Sequence, residues 1–249
     1  MMWDANGDGA TRTARLGRGV DVEAAADAVT EATSRATMGP ATTAAAGRRV
    51  LVVYATKYGS TAKVAETVAE ELRAAGCQAE ARAVGDVAST AGYDAVVVGG
   101  PMIFGWHKDA LKWVKARRDG LAAVPVAYFI TAASLTDDGS GAVDGVPFYK
   151  DSWLAKKPGD PAKLSYRQRY ALPSHYLGDV LRQTAPVRPR QAAFFAGALD
   201  LTKMSIFAKL FVMLVIGAAP GDGRHFDAVR EWARALPAVL FDQEGPAAA

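Results

Sequence analysis

The sequence contains a single cysteine, Cys77, among 249 residues. One cysteine excludes an internal disulfide framework and is typical of a reducing compartment, so we expect a cytoplasmic protein. The chain also has little excess charge of either sign, with a net charge of +3 and a pI of about 8.9. This bias is too weak to indicate nucleic-acid binding, and the sequence has neither a zinc-ligand spacing nor a nucleic-acid motif. We therefore expect no nucleic-acid partner and no metal site.

Apolar runs long enough to cross a membrane are missing as well. Residues 206–217 are strongly apolar, but Lys209 interrupts them and they fall short of the ~20 residues that a bilayer requires. The first 47 residues contain neither the apolar core of a signal peptide nor a spanning run. Residues 206–217 are therefore predicted to form a buried helix, or a surface helix that offers its apolar face to lipid, a quinone or a second subunit.

Composition divides the chain into three parts. Residues 1–47 are rich in Gly, Thr and Ala, which bury little apolar surface, and they are predicted to form a weakly ordered N-terminal extension. Residues 48–240 are predicted to form the folded domain, and residues 241–249 a flexible tail. With 50% hydrophobic residues in the whole chain, a sizeable core can form.

Short apolar or alternating runs typical of strands alternate with helical patterns through the domain. Strands are predicted at 50–54, 78–84, 93–98, 124–130 and 191–195, with helices after the first strand and at 108–118, 166–184 and 226–236. This alternation predicts right-handed crossovers and an α/β fold with a doubly wound parallel sheet and helices on both faces. Such a sheet binds ligands at the carboxyl ends of its strands.

The turn between the first strand and the first helix is Thr56-Lys-Tyr-Gly-Ser-Thr61. Free backbone N–H groups and the positive end of the helix dipole meet there, so the turn suits a phosphate monoester. Thr56, Ser60 and Thr61 add hydroxyl donors, and Gly59 allows close approach of the backbone. A second interpretation is that Ser60 or Thr61 merely caps the helix.

A glycine-rich aromatic loop, residues 99–107 (GGPMIFGWH), follows the third strand. Exposed apolar side chains need a covering group, and the flat isoalloxazine ring of a flavin would serve. Ile103, Phe104 and Trp106 could contact its faces, and backbone amides near Gly105 could meet its N5 and O4 edge. The alternative is that Trp106 and Phe104 pack down onto the sheet.

These motifs resemble the flavodoxin-like FMN-binding family. Thr56-x-x-Gly59-x-Thr61 is similar to its phosphate loop, residues 99–107 to its first flavin-contacting loop, and residues 131–135 (TAASL) to its second. The resemblance implies a five-stranded sheet in the order 2-1-3-4-5 and FMN as the cofactor. The cofactor contacts that it implies are Thr56, Lys57, Tyr58, Gly59, Ser60, Thr61, Pro101, Met102, Ile103, Phe104, Gly105, Trp106, Thr131, Ala132, Ala133 and Ser134.

The C-terminal part is similar to the menaquinone-dependent protoporphyrinogen oxidases, through residues 193–199 (AFFAGAL), the apolar segment and residues 221–233. That resemblance implies an FMN-dependent oxidoreductase of heme biosynthesis. Electrons would pass from a reduced substrate such as a tetrapyrrole through FMN to a quinone, with peripheral membrane contact through 206–217. The alternative function is a flavodoxin-type electron carrier without a substrate of its own. Either protein could form an oligomer.

Residues 136–164, rich in Gly, Asp, Pro and Lys, do not align with the family and form an insertion after strand four. Since they leave the sheet beside the expected flavin end, we predict either a lid over the substrate pocket that includes Tyr149 and Trp153, or a loop fixed to the surface or to a partner. Basic residues in and after the insertion, such as Lys156, Lys157 and Arg167, suit anionic headgroups or a propionate-bearing porphyrin.

Three histidines occur in the chain. His107 lies on the expected flavin loop and is the best titratable candidate for a catalytic proton-transfer role; the alternative is a solvent-facing residue at a helix N-terminus. His225 is expected to cap the last helix, and Cys77 to be a small packed residue.

Overall fold

The computed structural model describes residues 45–57, 59–103, 105–199 and 221–242. All of them belong to one compact unit, Pro40–Ala249. Residues 1–44 of the predicted extension, the tail after residue 242 and the apolar segment 206–217 lie outside the described residues. No helix in the described ranges is long and apolar enough to cross a membrane.

A seven-stranded sheet forms the centre of the unit. The strands of the described residues, in chain order, are β1 (Arg49–Tyr54), β2 (Gln78–Ala83), β3 (Ala95–Pro101), β4 (Val126–Ala132), β5 (Leu135–Thr136), β6 (Ala142–Val143), β7 (Val146–Lys150), β8 (Ala155–Lys156), β9 (Gln191–Ala196), β10 (Ala198–Leu199) and β11 (Gly221–Asp222). The order in the large sheet is β2-β1-β3-β4-β9-β7-β6. The first five strands of this order pair in parallel, β7 joins β9 in parallel, and β6 is antiparallel to β7.

Helices cover both faces of the sheet. They are α1 (Ser60–Ala74), α2 (Lys108–Ala116), α3 (Arg118–Ala122), α4 (Tyr166–Tyr170), α5 (Pro173–Thr184) and α6 (Phe226–Pro237), with a 3-10 turn at Val84–Asp86 and a π turn at Ala238–Asp242. The apolar stripes of α1 and α6 pack on one face, around Phe129 and Phe195. Those of α2 and α5 pack on the other, around Tyr128 and Phe194. Both faces of the central strands are thus buried, which is why those strands read as continuous apolar runs.

The predicted fold class is confirmed, and the five predicted strands lie in the predicted order. One helix prediction was wrong, because residues 166–184 form two helices rather than one. Pro173 has no backbone N–H to continue a helical ladder, so α4 ends before it and α5 begins at it.

The predicted strand count was also wrong, because the insertion contributes β6 and β7 to the sheet. Val146 and Phe148 are buried, and the Phe148 ring meets that of Phe194 edge-on with centroids 5.4 Å apart. Pairing with β7 satisfies backbone groups along the edge of β9 that would otherwise face solvent. The segment was predicted as an insertion from its Gly-, Asp-, Pro- and Lys-rich composition, and Pro147 within β7 is itself a residue that is rare in strand interiors.

Tyr149 is therefore a strand residue and not part of a lid. Its ring lies 6.0 Å from that of Phe195, and its hydroxyl donates to the Glu231 carboxylate on α6 at 2.9 Å. Burial and this carboxylate raise the pKa of the Tyr149 phenol. The residue ties the added strand to α6.

Two glycines in β3 allow close packing above the sheet. A Cβ on Gly99 would lie 1.8 Å from Cζ of Phe129, and a Cβ on Gly100 would lie 2.9 Å from Nε1 of Trp106. The rings of Phe129 and Trp106 thus occupy the space that side chains at these two positions would fill. Both positions of β3 must therefore be glycine for these rings to pack as they do.

We predict that Gly99→Ala destabilises the fold by about 1–3 kcal/mol, because the added methyl group overlaps the Phe129 ring. Urea unfolding of the purified protein measures the change. Gly85→Ala is the matched control, since a Cβ there meets no heavy atom within 4 Å. Equal unfolding midpoints for the two variants would contradict this explanation.

Candidate functional site

The turn between β1 and α1 leaves the start of the helix without a side-chain cap. Gly59 occupies the N-cap position with φ 86°, and no side chain bonds to the first helical N–H groups. The Thr56 hydroxyl instead accepts from the Gly59 N–H at 2.9 Å, which holds the turn closed. The interpretation in which Ser60 or Thr61 only caps the helix is therefore wrong, and the N–H donors at this helix end are open to an anion.

The ends of three neighbouring strands meet at this turn. Thr61, in the first turn of α1, is buried, and its hydroxyl oxygen lies 3.4 Å from that of Thr131 near the end of β4. The Met102 N–H, just after β3, donates to the Thr131 carbonyl at 2.8 Å. The expected phosphate turn and both expected flavin loops thus lie at one edge of the sheet, as parallel strands require.

The loop after β3 turns back on itself tightly. Met102 and Trp106 pair as an antiparallel bridge, and the Ile103 N–H donates to the Gly105 carbonyl at 3.3 Å. Gly105 has φ 112°, a conformation that other residues rarely adopt. The loop therefore presents Ile103 and the peptide groups around Gly105 at its tip, next to the edge of the sheet.

Trp106 does not lie on the surface of this loop, and the expectation that it is exposed to a flavin was wrong. It is 2% exposed, its Nε1–H donates to the Gly100 carbonyl at 3.1 Å, and its ring lies 5.2 Å from that of Tyr128. The missing side chain at Gly100 makes room for the indole beneath the loop. Trp106 thus supports the loop from below, which is the alternative that the sequence had left open.

The remaining expected cofactor residues lie at the same edge of the sheet and differ in their exposure to solvent. Tyr58 and Phe104 lie outside the described residues. The others are exposed at Lys57, Gly59, Ala133 and Ser134, half-buried at Thr56, Ser60, Pro101, Ile103 and Gly105, and buried at Thr61, Met102, Thr131 and Ala132.

His107 forms the N-cap of α2. Its Nδ1 accepts from the Asp109 N–H at 3.3 Å, which leaves the hydrogen of the neutral ring on Nε2. Burial lowers the pKa of His107, and Lys57 lowers it further, whereas Asp109 opposes the shift.

Trp153 and His225 were named separately from the sequence, but Asp151 and the cluster that the three residues form at the same edge were missed. His225 does occupy the N-cap position of α6, but its side chain makes no capping bond. Its Nδ1 instead lies 2.8 Å from Oδ1 of Asp151, and its ring stacks on Trp153. The available signal was Asp151, which directly follows the alternating run VPFYK (residues 146–150). A charged side chain that is buried at the end of a strand needs a hydrogen-bonding partner.

A second missed pair consists of Asp222, the last residue of β11, and Arg224, which follows it before α6. The Arg224 Nε–H donates to Asp222 at 2.7 Å, and the guanidinium lowers the pKa of that carboxyl to about 2. Lys63 on α1 adds to this lowering.

Gly59→Ala tests the anion-binding turn. We predict that it weakens FMN binding about tenfold, because a residue with Cβ resists the left-handed conformation by roughly 1–2 kcal/mol and the turn must change. Fluorescence titration of FMN measures the affinity. Gly139→Ala is the matched control, since Gly139 has φ 82° and, like Gly59, open space for a Cβ. Unchanged FMN affinity in Gly59→Ala would exclude this turn as the phosphate site.

His107 is expected to titrate below its ordinary pKa of 6.5. The folded pKa is lower than the unfolded one, so the contribution of His107 to the free energy of unfolding is complete above pH 6.5 and is lost as the pH falls through the folded pKa. NMR titration of the imidazole resonances tests this, with His107→Asn as the control that keeps a capping side chain and removes the titration. A pKa of 6.5 or higher would contradict the cap.

Comparison with known proteins places these features in a family. Residues 51–224, more than half of the chain, match the model of the family described as Flavodoxin domain. A curated relative is protoporphyrinogen IX dehydrogenase [quinone] of Escherichia coli (strain K12), with 24% identity over 179 residues, covering 70% of this chain and 82% of the relative.

Two solved structures match parts of the chain. Rubredoxin oxygen:oxidoreductase from Desulfovibrio gigas has a TM-score of 0.40 and 12% identity over 78% of this chain, which spans only 36% of that protein. The two-electron reduced flavodoxin of Megasphaera elsdenii has a TM-score of 0.38 and 15% identity, over 58% of this chain and 84% of that flavodoxin.

The described residues fit the cofactor that this family implies. The uncapped start of α1 and the open space at Gly59 suit the phosphate of FMN, and the loops after β3 and β4 flank it. The family match also supports a redox role. The chain belongs to the Flavodoxin domain family, and its cofactor is FMN.

Proposed function

We propose that this protein is an FMN-dependent oxidoreductase that takes electrons from a reduced tetrapyrrole and passes them to a quinone. The observation that carries the proposal is the extension of the sheet beyond β9. Strand β7 is added there, and it delivers Asp151 and Trp153 to the carboxyl edge beside the flavin loops. An electron carrier needs only an exposed flavin edge, whereas an enzyme needs further groups that hold a substrate beside it.

Bound FMN supplies the redox chemistry, since it accepts a hydride equivalent and releases electrons singly or in pairs. The N–H groups of Ser60 and Thr61, with the Thr56 and Ser60 hydroxyls, would hold its phosphate. Peptide groups near Gly105 and Ser134, in the loops after β3 and β4, would hold the ring. His107 orders α2 by capping it and keeps a hydrogen on Nε2 at the base of the flavin loop.

Charge and similarity support the choice of substrate and acceptor. Lys156 and Lys157, two exposed basic residues of the insertion, suit a substrate that carries propionates. The E. coli relative, of which the alignment covers 82%, is by name a protoporphyrinogen IX dehydrogenase that uses a quinone. The apolar sequence of residues 206–217, in the part of the chain outside the described residues, supports access to a quinone dissolved in a membrane.

Anaerobic reoxidation of the photoreduced, FMN-loaded protein tests the proposal. We predict that menadione reoxidises the flavin at least about tenfold faster than equimolar cytochrome c, since a quinone site beside the flavin lowers the barrier by more than about 1.4 kcal/mol. The second readout is fluorescent protoporphyrin IX formed from protoporphyrinogen IX and menadione without oxygen. Fast reoxidation by cytochrome c with no protoporphyrin formation would assign the protein to the electron carriers.

A further inference from the structure

We propose that Trp153 and His225 form a stacking platform for a flat pyrrole ring of the substrate, with Asp151 as the residue that positions it. The inference rests on the proposed function, because it names the place where that substrate binds. Three chain segments build the platform: the end of β7, the end of β9 and the residues that lead into α6.

Asp151 is the centre of this arrangement. It is fully buried, and both of its carboxylate oxygens are used. Oδ2 accepts from the Ala196 N–H at 3.1 Å, while Oδ1 accepts from the Trp153 N–H and from His225 Nδ1, both at 2.8 Å. One buried carboxylate thus fixes the backbone of Trp153 and the side chain of His225 relative to the end of β9.

The two rings stack almost perfectly in parallel. Their centroids are 4.1 Å apart and their planes differ by 4°, so each ring covers one face of the other. Trp153 is nevertheless 60% exposed, one of two large hydrophobic side chains in the described residues that are exposed to this degree. The other face of the indole is therefore exposed to solvent. The imidazole on the covered face is held in place by its hydrogen bond to Asp151. A ring held rigid in this way loses little entropy when it binds a ligand.

The second nitrogen of His225 is available for the ligand. A carboxylate only accepts, so Nδ1 carries the hydrogen of this bond and Nε2 of the neutral ring is an acceptor. No group within the described ranges hydrogen-bonds to Nε2. The platform therefore combines a flat apolar face with an acceptor at its border.

The platform lies next to the flavin loops. The Gly197 N–H donates to the Ala132 carbonyl at the end of β4, and the neighbouring Ala196 N–H donates to Asp151. Since adjacent strands are about 4.8 Å apart, Asp151 lies roughly 10 Å from the end of β4 along the edge of the sheet. A macrocycle of tetrapyrrole size spans that interval, so one part can stack on Trp153 while another reaches the flavin.

These features select a ligand with a flat aromatic ring and an N–H donor on another part of the molecule. A flat apolar ring gains dispersion and hydrophobic energy on the free indole face. A second part of the ligand that reaches past the rim of the indole can donate an N–H to Nε2 of His225 on the far side. A reduced tetrapyrrole is not flat as a whole, but each of its pyrrole rings is flat and carries an N–H, and its aromatic product is flat throughout.

Binding of protoporphyrin IX to the FMN-loaded full chain tests the platform without turnover. We predict that Trp153→Ala raises the dissociation constant about tenfold and that Trp153→Phe, which keeps a stacking ring, raises it less than about threefold. His225→Asn and Asp151→Asn are expected to raise it by about three- to tenfold, because the indole loses its support. Porphyrin absorbance and isothermal titration measure these changes.

Two controls separate binding from folding. FMN affinity should not change in Trp153→Ala, since the indole does not belong to the phosphate turn. Tyr166→Ala removes the other exposed aromatic residue, which is 75% exposed on α4 and outside the cluster, and should leave porphyrin affinity unchanged. Equal losses in Tyr166→Ala and Trp153→Ala, or wild-type affinity in Trp153→Ala, would overturn the platform.

The same set of proteins distinguishes this inference from the proposed function. If the wild type forms protoporphyrin with menadione and Trp153→Ala retains both KM and kcat, the platform is wrong and the function stands. If the wild type forms no protoporphyrin but still binds protoporphyrin IX through Trp153, the function is wrong and the platform stands. The expected result is a raised KM in Trp153→Ala with a smaller change in kcat.

Discussion

Parallel pairing of β1, β3, β4 and β9 is the constraint on which the functional edge depends. Because these strands run in one direction, their carboxyl ends lie side by side, and loops far apart in the sequence become neighbours. The contact between the Thr61 and Thr131 hydroxyls joins the phosphate turn to the end of β4 across 70 positions of sequence. Without this alignment, neither loop alone could hold a flavin nucleotide.

The parts of the site that follow from local chemistry were predictable from the sequence. Short apolar or alternating runs predicted the five strands of the parallel core, and Gly59 between a strand and a helix predicted the phosphate turn. Such features depend on residues adjacent in the chain, where backbone sterics and helix ends decide the structure. The insertion was less predictable, since β7 becomes a strand by pairing with β9, more than 40 positions away.

Side-chain orientation was the main limit of sequence reasoning. Trp106 lies in a loop whose glycine and aromatic residues are typical of a flavin contact. Its ring nevertheless packs into the core, because Gly100 has no side chain to occupy that space. His225 sits at a helix start, yet buried Asp151 offers it a stronger partner than the helix N–H groups. Both outcomes depend on neighbours brought in by the tertiary fold, and neither is visible in spacing or composition.

The carboxyl ends of the parallel strands carry two groups of residues. One group is the set of turns proposed to hold the cofactor. The other is the cluster of Asp151 and Trp153, which follow β7, and His225, which precedes α6. The central claim is that the uncapped start of α1 binds the FMN phosphate. Calorimetric comparison of FMN with riboflavin, which lacks the phosphate, tests it most directly. Two charge-assisted hydrogen bonds predict roughly 100-fold tighter binding of FMN. Equal affinities would contradict the claim.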